Sequence, residues 1–366
     1  MRLNKRTGLL AASFALAWLA ACGGGSSGGG NGSTGGNAYV AIPEANAVAS
    51  YRVSSGSGDL KAVLGSPFQG GTSPISLVVH PSGKYVYTAN QAGNDISLYA
   101  ANSNTGELTE VLPRTPAGLN PTSLAMDSGG DLLFVANQTS NTISVYSIRS
   151  SDGSLTEAAG SPFATGSRPV ALALTPSGRF LYVASSNLPR VFGYSVTSGT
   201  VGLQAITGSP FAVGNGPTAL VVDPSEHFLY VTNFIDNTVS GLTIDPGSGA
   251  LTTALDSPFV AGTGPISVTV HPTGKFLYVT NISSNNVSVY SIDTSTGATT
   301  ALTSPFAAGT RPVSATVDPA GAFLYVCNQS SKDITKFQIN QSTGGLPSST
   351  TAATSNLAPS AIVFAK

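Results

Sequence analysis

The chain has 366 residues, of which 41% are hydrophobic and only 9% are charged, and its formal net charge is −1. The hydrophobic share excludes a disordered chain, because such chains lack the apolar residues that a core needs. The 42 glycines and 23 prolines exclude a long helical bundle, since both residues interrupt helices. The sequence contains no run of Lys or Arg, so we do not expect nucleic acid as a partner.

Residues 1–21 have the features of a signal peptide. Three basic residues precede an apolar stretch, residues 9–21, that is too short to span a bilayer as a helix. The stretch ends in Leu-Ala-Ala before Cys22, which resembles a bacterial lipobox, in which the cysteine is lipidated and begins the mature chain. We therefore expect export and a membrane anchor on Cys22, at the periplasmic or outer-membrane side of the cell envelope. The alternative is an ordinary secretory peptide with an incidental cysteine.

Residues 22–37 are rich in Gly and Ser, and we interpret them as a flexible tether. Nine of residues 23–37 are glycine, and a chain of this length and composition has a root-mean-square reach of roughly 20 Å. We expect the folded body to span residues 38–366. Its one cysteine, Cys327, lies among strand-forming residues, which predicts a buried, unreactive thiol and no internal disulfide.

Residues 38–366 contain a repeat of 47 or 48 residues. One strand of the repeat carries a Tyr-Val-like pair and occurs seven times, at Tyr39, Tyr87, Phe134, Tyr182, Tyr230, Tyr278 and Tyr325. A second, apolar strand opens with proline and also occurs seven times, at Pro74, Pro121, Pro169, Pro217, Pro265, Pro312 and Pro359. Short turns rich in Pro and Gly, such as residues 80–84, connect the two strands.

Two further strands complete each repeat, as in residues 143–148 and in residues that follow a Gly-containing turn, such as 106–109. A Ser-Pro-Phe linker follows in five repeats, and we expect its Phe to pack between repeats, together with a recurrent Tyr of the third strand. Four short strands in this length match a propeller blade, whereas a sandwich needs roughly 100 residues. The sequence therefore predicts an all-β, seven-bladed propeller with four antiparallel strands per blade.

The two ends of the body supply complementary parts of one blade. The first repeat lacks its proline-led strand, because residue 38 directly begins the Tyr-Val strand. The missing strand appears at the other end, over residues 359–364. We expect this C-terminal strand to pair with the N-terminal one, with Ile362 near Val40, so that the ring closes without a free sheet edge.

The strands that read Tyr-Val-Thr-Asn, residues 230–233 and 278–281, resemble those of the seven-bladed lactonase-type propellers, as do the Pro-Ser-Gly turns. That superfamily includes 6-phosphogluconolactonase-like enzymes and the Tyr-Val-Thr-Asn repeat proteins of bacterial and archaeal cell surfaces. The resemblance covers residues 38–366 and implies the propeller fold. It also implies lactone hydrolysis as a candidate activity.

Candidate ligand-binding residues lie on the face where inner strands begin and second strands end, which we call the upper face. The opposite face, which carries the Pro-Gly turns, is the turn face. Two arginines precede inner-strand prolines, and Arg offers a bidentate donor to a carboxylate or phosphate. Five second strands end in Asn, although such residues often only close their own loops, and the arginines have the alternative of solvated rim charges. The predicted binders of a small sugar-like or anionic ligand are Arg168, Arg311, Asn90, Asn137, Asn233, Asn281 and Asn328.

The sequence assigns no catalytic residue, metal ligand or cofactor. The histidines, His80, His227 and His271, fall at the turns on the opposite face, and no Asp-rich loop has the spacing of a calcium site. Lactonase-type propellers tend to carry Gly-Pro-Arg-His before an inner strand and Asn-Glu after a second strand. This chain has Gly-Pro-Thr-Ala at residues 216–219 and Asn-Phe at residues 233–234.

Two functions follow as hypotheses. The main one is a monomeric cell-envelope lipoprotein whose propeller binds a small ligand or an envelope protein, because no His-based general base or nucleophilic triad can be assembled on the upper face. The alternative is a 6-phosphogluconolactonase-type hydrolase that opens sugar lactones, because of the family resemblance and the two arginines. Turnover of a lactone by the folded body discriminates between them.

Overall fold

The computed structural model describes residues 34–197, 202–302, 305–354 and 356–365. They form seven antiparallel sheets, each of which is one blade of a closed ring. The inner strands of successive blades contact one another around the centre of the ring. We number the blades 1 to 7 in the chain order of their inner strands, so that blade 7 contains both ends of the body. The predicted seven-bladed, all-β propeller is confirmed.

Each blade has an inner, a second, a third and an outer strand. The inner strands of blades 1 to 7 are Pro74–Val79, Pro121–Met126, Pro169–Leu174, Pro217–Val222, Pro265–Val270, Pro312–Val317 and Ala361–Ala365. The second strands, in the same order, are Tyr85–Asn90, Leu132–Asn137, Phe180–Ser185, Phe228–Asn233, Phe276–Asn281, Phe323–Asn328 and Thr34–Ile42. The third strands are Asp95–Ala101, Thr142–Ile148, Arg190–Thr197, Thr238–Ile244, Asn286–Ile292, Asp333–Gln338 and Ala47–Ser54. The outer strands are Leu108–Pro116, Leu155–Glu157, Gly202–Ala205, Leu251–Thr253, Thr299–Ala301, Ser348–Thr354 and Leu60–Ala62.

Blade 7 closes the ring as the sequence predicts. Its C-terminal inner strand pairs with the N-terminal second strand, and Val40 lies opposite Ile362. The second strand begins at Thr34, four residues before the boundary that the sequence predicts for the body. The side chain of Asn37 explains the difference, because it is buried and accepts a hydrogen bond from Arg52 at 3.1 Å. The segment assigned to the tether thus contributes its last residues to the sheet.

Five blades carry a fifth, two-residue strand that the sequence analysis did not predict. It begins at the Phe of the Ser-Pro-Phe linker and pairs with the start of the third strand, over Phe68–Gln69, Phe163–Ala164, Phe211–Ala212, Phe259–Val260 and Phe306–Ala307. The linker serine attaches this segment to the third strand, since Ser161 Oγ accepts a hydrogen bond from the Val145 amide at 3.0 Å. In blades 1 and 6 a longer outer strand takes this place. The only other regular element of the described chain is the 3₁₀ turn Pro43–Ala45.

The hydrophobic core lies between neighbouring blades rather than at one centre. The second-strand tyrosines are buried, and several reach the next blade: Tyr182 donates to the Gly249 carbonyl at 2.7 Å and Tyr87 to the Gly153 carbonyl at 2.6 Å. The predicted packing of the linker Phe is confirmed by Phe259, whose ring lies 4.8 Å from that of Tyr290. Each blade therefore depends on its neighbours for burial of apolar surface.

Candidate functional site

The upper face is built around the residue that precedes each inner-strand proline. In blades 1 to 6 this residue has a positive φ, between 32° and 69°, where side chains are strained and glycine is favoured. Its backbone carbonyl accepts a hydrogen bond from the backbone amide of the residue that follows the second strand. In blade 6, for example, the Gln329 amide donates to the Arg311 carbonyl at 2.9 Å. The backbone is the same in six blades, whereas the side chains differ. The six residues are Ser73, Asn120, Arg168, Gly216, Gly264 and Arg311.

Loop asparagines hold these strained residues in place. The side-chain oxygen of Asn285, in blade 5, accepts a hydrogen bond from the Arg311 amide of blade 6 at 2.8 Å. Asn141 holds Arg168 in the same way at 2.7 Å. Asn46, Asn94 and Asn237 hold the corresponding residues of three other blades. The sequence analysis missed this role, although an Asn four residues after a strand-end Asn, as in 281 and 285, was a visible signal.

The five strand-end asparagines predicted as ligand contacts are all fully buried: Asn90, Asn137, Asn233, Asn281 and Asn328. Each side-chain amide donates to two side chains of its own blade. Asn233, for example, donates to Thr238 Oγ1 at 3.0 Å and to Ser240 Oγ at 2.9 Å. The glycine of the incoming loop packs directly on the amide, since a Cβ at Gly214 would lie 2.6 Å from it. These contacts close the loops, and the amides are not exposed at the surface.

The two predicted arginines lie far apart on the ring, in blades 3 and 6. Both side chains are exposed. Arg168 donates from Nη2 to Gln138 Oε1 at 3.3 Å. Arg311 lines a cavity, so the structure separates the two residues and places Arg311 at a concave site to which Arg168 does not belong.

The cavity lies on the upper face across blades 4 to 6 and has a volume of about 280 Å³. Three of its lining residues are apolar, namely Phe234, Ile266 and Ile282. The polar lining residues are Ser283, Asn285, Thr310 and Arg311. The sequence alone did not reveal the apolar wall, because only polar residues of this face stand out as ligand contacts. The arrangement presents one guanidinium and a few polar groups beside an apolar wall.

The carboxylates of the upper face are engaged elsewhere. Asp95 and Asp333 accept hydrogen bonds from strand-end asparagines, at 2.6 and 2.7 Å. Asp236 accepts from the Asn215 backbone amide at 2.7 Å, and this bond lowers the pKa of its carboxyl. Glu44, which the sequence analysis did not single out, pairs with Lys332 at 3.3 Å. Among the described residues, no carboxylate forms an ion pair with either predicted arginine, which leaves the Arg311 charge available to a ligand.

The sequence as a whole matches one protein family. The model of the family "Lactonase, 7-bladed beta-propeller" aligns with residues 32–171 and 164–364. The chain belongs to this lactonase propeller family. The resemblance seen in the strand repeats is thereby confirmed.

Individual relatives are more distant. A curated protein of Arthroderma benhamiae, "Probable 6-phosphogluconolactonase", is 38% identical over 69 residues, which span 19% of this chain and 17% of that protein. The periplasmic gluconolactonase of Pseudomonas aeruginosa superposes with a TM-score of 0.78 and 20% identity, over 90% of this chain and 99% of that one. A protein of Lactobacillus plantarum superposes with a TM-score of 0.77 and 20% identity, over 91% of this chain and all, 100%, of that one. At these identities the superpositions show a shared fold.

The histidines of this lactonase propeller lie at turns away from the cavity. His271 Nδ1 contacts Thr273 Oγ1 at 2.8 Å, and Nε2 contacts the Gly321 carbonyl of the next blade at 2.9 Å. Burial lowers the pKa of His271, so its ring is mostly neutral at physiological pH. His80 makes the equivalent contacts, and His227 contacts Ser225 Oγ at 3.1 Å. None of the three belongs to the cavity lining.

Other reactive groups are also remote. Cys327 is fully buried, and burial raises the pKa of its thiol well above the ordinary range. Within the described ranges no group of three His, Cys, Asp or Glu residues is arranged to hold a metal ion, and no helix is long and apolar enough to cross a membrane. Cys22, the predicted lipid anchor, lies outside the described residues.

Proposed function

We propose that this lactonase propeller hydrolyses lactones in the upper-face cavity. The observation that carries the proposal is the exposed guanidinium of Arg311 at the edge of a 280 Å³ cavity, with no ion-pair partner among the described carboxylates. Membership of the lactonase family supports the same reaction class.

The reaction adds water to the lactone carbonyl carbon and breaks the ring carbon–oxygen bond. The water proton passes through solvent at the open cavity, the ring oxygen gains a proton, and the product is a hydroxy acid. Negative charge develops on the carbonyl oxygen during the addition. The Arg311 guanidinium donates hydrogen bonds to that oxygen and then to the product carboxylate. Asn285 acts as a positioning residue, because it fixes the Arg311 backbone at 2.8 Å.

A variant pair tests the proposal. Arg311→Ala removes the proposed donor, and we expect kcat/KM for δ-valerolactone to fall by roughly 100-fold, the usual effect of losing one oxyanion donor. Arg168→Ala is the matched control, because Arg168 lies three blades away beside Gln138. We expect its kcat/KM to stay within about twofold of the parent. Equal losses in the two variants, or no loss in Arg311→Ala, would refute the assigned role.

A binding function without turnover is the second candidate. It is favoured by the engaged state of Asp95, Asp236 and Asp333, which leaves no general base beside Arg311 among the described side chains. This candidate predicts that hydroxy acids bind the protein and that Arg311→Ala weakens their binding. It also predicts that the protein hydrolyses no lactone faster than buffer does. Calorimetry with 5-hydroxypentanoate, alongside the hydrolysis assay, separates the two functions.

We also propose that the protein is anchored at the cell envelope through Cys22. The described chain begins at Thr34, which lies opposite Ser54 at the turn-face end of blade 7. The anchored segment therefore joins the body at its turn face, on the side opposite the proposed cavity. Cys22→Ala should shift the protein from the membrane to the soluble fraction, with hydrolysis unchanged. Membrane retention of this variant would rule out the anchor.

A further inference from the structure

We infer that the cavity selects an uncharged lactone with an apolar substituent and discriminates against phosphorylated sugar lactones. The inference rests on the proposed function and names its substrate class. It follows from three features of the cavity, which are its apolar wall, its single available cation and its few free polar groups.

The apolar wall is specific to one side of the ring. The residue after the second strand projects from the same backbone position in blades 1 to 6, where its amide donates a hydrogen bond to the pre-proline carbonyl. Blades 1, 2 and 6 carry glutamine there, at Gln91, Gln138 and Gln329. Blades 4 and 5 instead carry Phe234 and Ile282, and both line the cavity. Side chains of this class recognise hydrocarbon and reject hydroxyl groups that they cannot bond.

The wall is also firmly supported. Ile266 is fully buried and supports the wall from behind, whereas Ile282 keeps 8% of its surface exposed; both belong to a buried cluster that continues into blades 6 and 7. Phe234 is half-buried against the same cluster. Because these side chains are packed against the core, they cannot easily change rotamer to make room for polar groups. The ligand must therefore supply an apolar surface to match it.

The described lining of the cavity contains one cationic side chain, that of Arg311. A phosphorylated sugar lactone has two groups that need a cation, its carbonyl oxygen during the reaction and its phosphate. The lactone carbonyl requires Arg311, and a phosphate carries about −1.5 to −2 charges that need further cationic donors. Lys332, on the neighbouring loop, pairs with Glu44 and donates to the Asn356 carbonyl, both at 3.3 Å. Arg168 lies across the ring beside Gln138. No second cation of the described chain lines the cavity, so a phosphate there would lack a counter-charge.

Free polar groups are equally scarce. Of the polar lining residues, Asn285 already uses its side-chain oxygen to hold Arg311. Ser283 and Thr310 each add one hydroxyl. A sugar lactone with several hydroxyls would bury some of them against the apolar wall without partners, which is costly for each group. An unsubstituted or alkyl-substituted lactone avoids this loss.

The test compares three substrates with the full chain: δ-decalactone, glucono-δ-lactone and 6-phosphoglucono-δ-lactone. We expect kcat/KM for δ-decalactone to exceed that for the phosphorylated lactone by at least about tenfold, with glucono-δ-lactone between them. A preference for the phosphorylated lactone would overturn the inference while leaving lactone hydrolysis intact. If no substrate is turned over, the proposed hydrolysis fails. Calorimetry then decides the inference, since tighter binding of 5-hydroxydecanoate than of 6-phosphogluconate supports it and the reverse order refutes it.

A variant pair locates the preference. Phe234→Gln places in blade 4 the residue that the same backbone position carries in blades 1, 2 and 6. We expect the ratio of kcat/KM for δ-decalactone to that for glucono-δ-lactone to fall about tenfold. Ile235→Gln is the control, because Ile235 is 67% exposed in the same loop and does not line the cavity. If Phe234→Gln lowers the melting temperature, Phe234→Ser provides a second test, because blade 3 carries Ser186 at the same position. An unchanged ratio in both folded variants would refute the role of the apolar wall.

Discussion

The turn face and the upper face of the ring use the same repeat in different ways. On the turn face, the chemistry recurs: Asp127, Asp223 and Asp318 each accept the amide five residues later at 2.7 Å, and Thr175 does so at 3.1 Å. At the pre-proline position of the upper face, the backbone recurs in blades 1 to 6 but the side chain does not, since the residue is Arg, Gly, Asn or Ser. The recurrent side chains therefore hold the fold, whereas the ligand contact that we propose, Arg311, is one of the residues that differ between blades on a common backbone.

The largest effect is expected from a substitution that opens the ring, because both faces depend on its closure. Ile362 is fully buried in the closing strand, opposite Val40. Ile362→Asp would bury an unpaired charge and should cost more than about 4 kcal/mol of the free energy of unfolding, or prevent folding. Ile362→Val is the control and should cost about 0.5–1.5 kcal/mol. Guanidinium unfolding measures both, and a tolerated Asp would contradict the closure.

A second prediction concerns the strand-end asparagines, which the comparison assigns to the fold. Asn233→Ala leaves the buried hydroxyl of Ser240 and the half-buried hydroxyl of Thr238 without their shared donor. It should lower the free energy of unfolding by about 1–3 kcal/mol. Asn187→Ala, at an exposed loop position of blade 3, should change it by less than about 0.5 kcal/mol. If the folded Asn233→Ala protein loses ligand binding but no stability, the amide contacts a ligand after all.

A third prediction separates stability from function at the cavity. Arg311→Gly introduces the residue that blades 4 and 5 carry at the same positive φ, so it relieves strain. We expect the free energy of unfolding to rise by about 0.4–1 kcal/mol while lactone hydrolysis falls roughly 100-fold. Ser73→Gly should give a similar rise with hydrolysis unchanged, because Ser73 lies in blade 1, outside the cavity. A loss of stability in Arg311→Gly would show that the arginine serves the fold.

The smallest expected effect lies on the turn face and depends on pH. Burial raises the pKa of Asp318, against the opposing influence of amides from Phe323, Ala322 and Ala320 and of nearby His271. Because the folded state binds this proton more tightly, its contribution to stability is largest in acid and declines as the pH rises through the raised pKa. Asp318→Asn keeps the oxygen acceptor without the charge.

That variant should therefore be more stable than the parent at pH 7, by on the order of 0.5 kcal/mol. The difference should shrink as the pH falls below the raised pKa, because the parent carboxyl is then also neutral. Melting temperatures of the two proteins across the pH range check the trend. A difference that grows on acidification would contradict the direction of the pKa shift.

The sequence was sufficient for the ring and for its closure, because both depend on residue types that recur at fixed spacing. The pairing of Val40 with Ile362 followed from two incomplete repeats. The sequence was not sufficient to locate the start of the body. The glycines within residues 34–37 are typical of a tether, but the structure places them in a strand, where the Asn37 side chain bonds to Arg52. Propensity was overridden there by a tertiary contact.

The sequence predicted one residue of the candidate site, Arg311, but neither its apolar wall nor its backbone conformation. Arg311 stood out as a charge in a chain with few charges, but so did Arg168, and the structure was needed to show that Arg311 lines the upper-face cavity. The positive φ before the inner strand could not be inferred, because just two of the six blades mark it with glycine. Phe234 and Ile282 were passed over because apolar residues in a β-rich sequence predict core packing, and a binding wall uses the same residue types.

The most direct test of the account is a crystal structure of the protein soaked with 5-hydroxypentanoate, the product of δ-valerolactone hydrolysis. The account predicts that its carboxylate lies within hydrogen-bond distance of the Arg311 guanidinium, with its chain against Phe234 and Ile282. Ligand density beside Arg168, on the turn face, or against the strand-end asparagines with the cavity empty would contradict it.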